Sequence, residues 1–205
     1  MLATWSLYNG RWIKNPLELD VNNRAFLYGD GLFETMRTTG VTALFLANHV
    51  ERLHSGMQFL QIPIVSELSK KSIAEHIAGL LNRNKWFTGA RVRLTVFRDA
   101  SGRFTPDESK TSYVLTGEPL VTEPLYPFAG QGRIMCVFDE LRKSVSPISS
   151  LKTLNSLTYI MAGIHARKLK CDDAFIKNDR GEIIETTNAN IILLKGEKAI
   201  SPGVN

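Results

Sequence analysis

Between Glu118 and Gly132 the chain reads EPLVTEPLYPFAGQG, with three prolines and two glycines and neither the helical nor the strand period of apolar residues. Regular structure is therefore expected to stop at this stretch and restart beyond it. The sequence divides into an N-terminal α/β domain over residues 1–117, a linker over 118–132 and a second domain that begins at 133 and runs to 205.

On the N-terminal side, WSLYNGRWI alternates around Asn9-Gly10, the dipeptide suited to the positive φ angles of a tight hairpin. A second strand pair is expected in ETMRTTGVTALFL, turning at Thr39-Gly40. Val50, Leu53, Met57 and Leu60 then recur at helical spacing behind Asn48 as N-cap, and Leu68, Ile73, Ile77, Leu80 and Leu81 repeat the pattern. Val92, Leu94 and Val96 alternate with Arg91, Arg93 and Thr95, the period of a half-buried strand, and TSYVLTGEPL reads as its partner. These elements make an α+β unit. Beyond the linker the order is a strand in RIMCVFD, a helix over 153–170, and two hairpins turning at Asp179-Arg180-Gly181 and Lys195-Gly196-Glu197.

Composition narrows the classes of function. The net charge of +5 is spread along the chain without the basic runs of a nucleic-acid face. No stretch has the length of an apolar membrane span, and the N-terminus lacks the pattern of a signal peptide. The two cysteines, Cys136 and Cys171, are far apart in sequence and have no metal-ligand spacing, so neither a disulfide framework nor a zinc site is suggested. A cytoplasmic protein acting on small molecules fits this composition.

Several residues could carry chemistry. Lys152 stands among Leu151, Leu154 and Leu157; a lysine shielded from water by apolar neighbours loses its charge more readily and can attack a carbonyl. Taken alone it reads as a solvated helix-start residue. Glu185 ends an apolar strand and precedes a polar turn, so it could pair with a protonated ring nitrogen while the turn binds an anion. Arg52 on the first turns of a helix could fork onto phosphate oxygens, or simply pair with a nearby acid such as Glu51. Gly29 and Gly31 bracket Asp30 and imply a tight backbone passage before a strand. FRDASGRF is expected to expose Arg98 and Arg103 on a glycine loop, where either could trap a carboxylate.

Taken in order, RAFLYGDGLFETMR, HVERL, LKTLN and ETTNANI followed by Ser201-Pro202 resemble one family, the class IV aminotransferases, which are fold-type IV enzymes that use pyridoxal 5'-phosphate (PLP). The resemblance runs from Asn22 to Pro202. It implies a two-domain, D-amino-acid aminotransferase-like fold of mixed α/β content whose larger, C-terminal, PLP-binding domain begins at 133. It also implies that Lys152 forms the Schiff base with PLP and moves the proton between substrate and cofactor. By the same resemblance Glu185 faces the pyridine nitrogen and Arg52 holds the phosphate. Backbone N–H groups around Asn188 and Ala189 join that grip, and Asn155 supports the lysine loop. Phe26 falls where D-amino-acid aminotransferases tend to have a tyrosine near the substrate, and Arg103 where some of them carry a carboxylate-binding arginine. Metal ligands are not implied, and the expected assembly is a homodimer.

The implied reaction is transfer of an amino group between an amino acid and a 2-oxoacid. The alternatives are release of pyruvate from 4-amino-4-deoxychorismate by a lyase, and a catalytically silent PLP-binding paralogue. The branched-chain branch usually shows a glycine pair and a tyrosine shortly after its lysine, whereas Thr153, Leu154, Asn155, Ser156 and Leu157 follow here. Family chains also continue beyond the Ser201-Pro202 turn into a helix start that supplies a further phosphate ligand. The sequence is accordingly read as an incomplete record of a longer protein.

Overall fold

The computed structural model describes residues 4–120 and 130–203. Two compact units divide the chain, Met1–Pro127 with Leu151–Leu154, and Phe128–Ser150 with Asn155–Asn205. Most of the linker expected over 118–132 lies outside the described residues, and its first two positions belong to a strand.

The first unit opens with β1 (Trp5–Tyr8) and β2 (Arg11–Lys14), a hairpin whose turn residues Asn9 and Gly10 take φ values of 46° and 77°. This is the conformation that an Asn-Gly pair tolerates best. A short helix without a sequence period, α1 (Arg24–Tyr28), is capped by the Asn23 side chain, which accepts from the Phe26 N–H, and closed by Gly29 in the left-handed region at φ 65°. Then come β3 (Gly31–Thr39) and β4 (Thr42–Ala43), which turn through Gly40. Helix α2 (Leu46–Phe59) starts earlier than an Asn48 cap would allow: its cap is Phe45, held left-handed at φ 54° with no side-chain hydrogen bond. Helix α3 (Lys70–Asn84) has the Ser69 side chain at its N-cap, accepting from the Ser72 N–H. Strands β5 (Ala90–Asp99) and β6 (Lys110–Pro119) complete an antiparallel sheet of order β2-β1-β6-β5-β3-β4.

Alternation along β3 buries Leu32, Glu34, Met36 and Thr38 and leaves Phe33, Thr35 and Arg37 partly exposed on the other face. The buried apolar set packs with Val50, Leu53 and Met57 of α2 and with Ile73, Ile77, Leu80 and Leu81 of α3. Because β4 pairs only with Thr38 and Thr39, the first residues of β3 need another partner on that edge. Residues 152–154 supply it. The Phe33 N–H donates to the Lys152 carbonyl at 2.8 Å and the Leu154 N–H to the Gly31 carbonyl at 3.0 Å. A Cβ at Gly31 would stand 2.5 Å from the Val96 carbonyl oxygen and 2.9 Å from Leu154 Cδ1, so only glycine admits this approach. The helix expected from Thr153 therefore begins later: Thr153 bridges to Leu32, and the helix starts at Leu157.

In the second unit, β7 (Met135–Lys143) and β8 (Asp173–Asn178) are parallel and connected through α4 (Leu157–Lys168), while β9 (Ile183–Thr186) runs antiparallel to β8. Its core is Phe138, Ala162, Ala166, Ala174 and Ile176. A last hairpin joins β10 (Leu193–Lys195) to β11 (Lys198–Ile200). Buried Asp173 accepts from the Thr187 hydroxyl at 2.6 Å and from the Ala174 N–H at 2.8 Å. Burial raises its pKa, but those hydrogen bonds outweigh it and hold the carboxyl below its ordinary value. Among the described residues no helix is long and apolar enough to cross a membrane.

Two outcomes follow from this packing. Gly31→Ala should cost about 1–3 kcal/mol through overpacking against Val96 and Leu154, read as a lower midpoint in urea unfolding. The stabilisation from Asp173 is present above the ordinary carboxylate range and is lost as pH falls through its lowered folded value. The gap in Tm between wild type and Asp173→Asn should thus be widest near neutral pH and narrow under acid conditions.

Candidate active site

Lys152 hangs from the edge of β3 by its main chain, between half-buried Leu151 and Leu154. The lysine itself is exposed, so the apolar shielding expected from its leucine neighbours is not what surrounds the amine in the chain. Its Nζ lies 4.8 Å from the centroid of the Phe33 ring, and the Arg93 guanidinium lies 3.7 Å from the same centroid. One aromatic ring on the outer face of β3 is thus in contact with two cations.

The next residue of β3 faces the helices and engages Arg52. Arg52 Nε donates to Glu34 Oε1 at 2.7 Å and Nη2 to Glu34 Oε2 at 2.5 Å, a bidentate fork. His49 Nδ1 lies 2.7 Å from the same Oε2. The Glu34 side chain is 2% exposed and that of Arg52 is 42% exposed, so the guanidinium bridges a buried carboxylate and the surface. Burial raises the Glu34 pKa, yet the hydrogen bonds from Arg52 and His49 prevail and keep it below its ordinary value. Arg52 is raised in turn by its hydrogen bond to Glu34. The acid beside Arg52 is thus Glu34 rather than sequence-adjacent Glu51.

In the second unit, Glu185 of β9 is half-buried and accepts through Oε1 from Lys143 Nζ at 2.7 Å and from the Tyr159 hydroxyl at 3.0 Å. Burial lowers the Lys143 pKa, but the bonds to Glu185 and Tyr159 outweigh it and the ammonium is held above its ordinary value. Burial pushes the Tyr159 hydroxyl up as well. Both donors use one oxygen, and among the described residues Oε2 has no hydrogen bond. After Glu185 the chain folds into a turn in which the N–H groups of Asn188 and Ala189 face Thr186 Oγ1 at 3.4 and 3.1 Å, and Ala189 returns its carbonyl to the Thr186 N–H.

Phe26 on α1 is 74% exposed, and Arg103 is exposed. The two belong to elements tied together by Arg24, whose Nη1 donates to the carbonyls of Gly102 and Arg103. Arg98, expected on the surface, is instead buried. It donates to Asp30 at 3.0 Å, to the Gln61 carbonyl at 2.9 Å, to Ser109 at 2.8 Å and to the Leu60 carbonyl at 2.5 Å. With Arg24 Nε on the same Asp30 oxygen at 2.7 Å, its role is to hold the Gly29–Gly31 passage. It is not available to trap a carboxylate.

Glu34, His49, Lys143 and Tyr159 were not singled out in the sequence. Glu34 does carry a signal, since an acid stands at a core phase of an alternating strand between Leu32 and Met36. Lys143 and Tyr159 carry none, because they meet Glu185 only through the sheet order β7-β8-β9 and the packing of α4.

The chain is similar to known proteins over most of its length. The family model for amino-transferase class IV matches residues 31–205. A putative branched-chain-amino-acid aminotransferase from Methanocaldococcus jannaschii is 28% identical over 202 residues, which are 96% of this chain and 67% of that protein. An aminodeoxychorismate lyase from Vibrio harveyi is 25% identical over 187 residues, 90% of this chain and 66% of the relative. Among solved structures, the branched-chain amino acid aminotransferase of Escherichia coli superposes with a TM-score of 0.85 at 21% identity, covering 98% of this chain and 67% of its own. The chain spans about two thirds of the length of these relatives. With the family model matching most of its residues, the chain belongs to the class IV aminotransferase family.

Proposed function

We propose that the chain is part of a PLP-dependent enzyme that transfers an amino group between an amino acid and a 2-oxoacid. The observation that carries this reading is that adjacent residues of β3 engage the two groups it needs. Phe33 binds the Lys152 main chain, and Glu34 binds the Arg52 side chain. The donor set also fits PLP chemically: a primary amine for its aldehyde, a guanidinium for its phosphate and a carboxylate with one uncommitted oxygen for its ring nitrogen. PLP, when bound, supplies an electron sink for negative charge developing at the substrate's α-carbon.

In this reading Lys152 Nζ takes a proton from the α-carbon and returns it one position away. Glu185, fixed through Oε1 by Lys143 and Tyr159, offers Oε2 to a ring N–H. Arg52 grips phosphate oxygens, joined by the N–H groups of Asn188 and Ala189 if these exchange the Thr186 hydroxyl for an anion. Phe26 and Arg103 contact the substrate, with Arg103 as a carboxylate partner. The assembly is a cytoplasmic homodimer. Supporting a subunit contact, Leu157, Ile160 and Ile164 form an exposed apolar stripe at helical spacing on α4.

A second reading, pyruvate release from 4-amino-4-deoxychorismate, is favoured by the residues after Lys152. They lack the glycine pair and tyrosine of the branched-chain branch, and the Vibrio harveyi relative bears the lyase name. Purified protein should show a visible absorbance band that borohydride removes, and Lys152→Ala should lack the band and lose about 10²-fold or more in turnover. Assays with branched-chain amino acids, D-alanine and aminodeoxychorismate separate the readings. Keto acid formed only when a 2-oxoacid acceptor is present supports the transferase, pyruvate from aminodeoxychorismate alone supports the lyase, and a band without turnover indicates a silent binder.

A further inference from the structure

Glu34 is a charged residue where the fold would accept an apolar one. It is 1% exposed, between Leu32 and Met36, on the face of β3 that packs against α2 and α3. Replacing a buried ion pair by apolar residues of similar volume is often neutral or stabilising, so stability alone gives little reason for a carboxylate here. What the carboxylate does accomplish is orientation. Its two oxygens engage Nε and Nη2 of Arg52, which fixes the plane of the guanidinium, and His49, one turn earlier on the same helix, holds Oε2 from a second side. Of the five N–H donors of an arginine, those on Nη1 have no hydrogen bond among the described residues. A long side chain that is 42% exposed thus presents an immobilised donor edge.

We infer that Glu34, braced by His49, is a positioning residue that pre-orients Arg52 to bind the phosphate of the cofactor. This rests on the reading of Arg52 as the phosphate ligand. An arginine held in its binding geometry loses less rotamer freedom when it closes on an oxyanion, and a bidentate grip needs the fork in one plane. The negative charge of Glu34 works in the opposite direction, because it lowers the local potential that attracts phosphate. Orientation and charge therefore predict changes of opposite sign when the carboxylate is neutralised. In Glu34→Gln, one acceptor oxygen is kept and the other becomes an NH2 group facing an arginine N–H, which breaks the fork.

The experiment titrates the apoprotein with PLP and with pyridoxal, which has the aldehyde and ring nitrogen but no phosphate, following the visible band and tryptophan fluorescence. Wild type, Glu34→Gln, Glu34→Asp and Arg52→Ala are compared. Glu34→Gln is expected to weaken PLP binding about tenfold, equivalent to about 1.4 kcal/mol, with pyridoxal binding unchanged. A purely structural role would lower both affinities together, and a dominant charge effect would raise the affinity for PLP; either result overturns the inference. If Gln at this position does not fold, Glu34→Asp gives the same readout, since its shorter carboxylate draws the fork off position, and an unchanged PLP-to-pyridoxal ratio there overturns the inference as well. Arg52→Ala separates the two levels. If it leaves the ratio unchanged, the phosphate reading of Arg52 fails and this inference with it, whereas a ratio lowered by Arg52→Ala but not by the Glu34 variants overturns the positioning role alone.

Discussion

The first unit depends on a pair of main-chain hydrogen bonds between Gly31–Phe33 and Lys152–Leu154. Strand β4 is too short to cover β3, and an uncovered edge leaves N–H and C=O groups without partners. Closing that edge with residues 152–154 satisfies the backbone and at the same time fixes where Lys152 emerges. The requirement passes back to Gly31, where any side chain would meet the backbone of β5. The sheet-closing demand thus sets the position of Lys152, with Leu151 and Leu154 supplying the apolar anchorage on either side.

Three acidic residues organise polar groups, Asp30 and Glu34 in the first unit and Glu185 in the second. Asp30 collects two arginines on one oxygen and turns both inward, so Arg24 and Arg98 serve the loops rather than a ligand. Glu34 spreads its two oxygens along one arginine and leaves that residue part in solvent. Glu185 concentrates two donors on a single oxygen, and among the described residues the other has no hydrogen bond. Asp30 and Glu185 each load a single oxygen while Glu34 engages both; the first two differ in their donors, two arginines against a lysine and a tyrosine.

Much of the fold was legible because its signals are local. Asn9-Gly10 needs positive φ, the apolar residues of α3 recur at helical spacing behind Ser69, and β5 alternates cleanly. The misread elements answer to contacts distant in sequence. Phe45 is no cap by type, yet the turn from β4 holds it left-handed and starts α2 before Asn48. Thr153 has the setting of a helix start, but β3 claims its backbone and delays the helix to Leu157. At the candidate site the ordered motifs led to Lys152, Arg52 and Glu185, while the partners of the last two stayed hidden. Arg98 shows the limit most plainly, since a loop-edge arginine and a buried one look the same until the carbonyls of Leu60 and Gln61 are in view.

The pairing of β3 with Lys152–Leu154 also bears on the order in which the molecule is built. These segments are separated by more than half of the chain, and contacts of such long sequence separation form late because the loop must close before they can repay its entropy. Helices α2 and α3 and the β5–β6 hairpin can assemble from neighbouring sequence while the edge of β3 still waits. During synthesis that edge stays open until residue 154 has left the ribosome. Lys152 is consequently among the last residues to reach its position, and the interval before its arrival is when the first unit is most exposed to pairing with a strand from another chain.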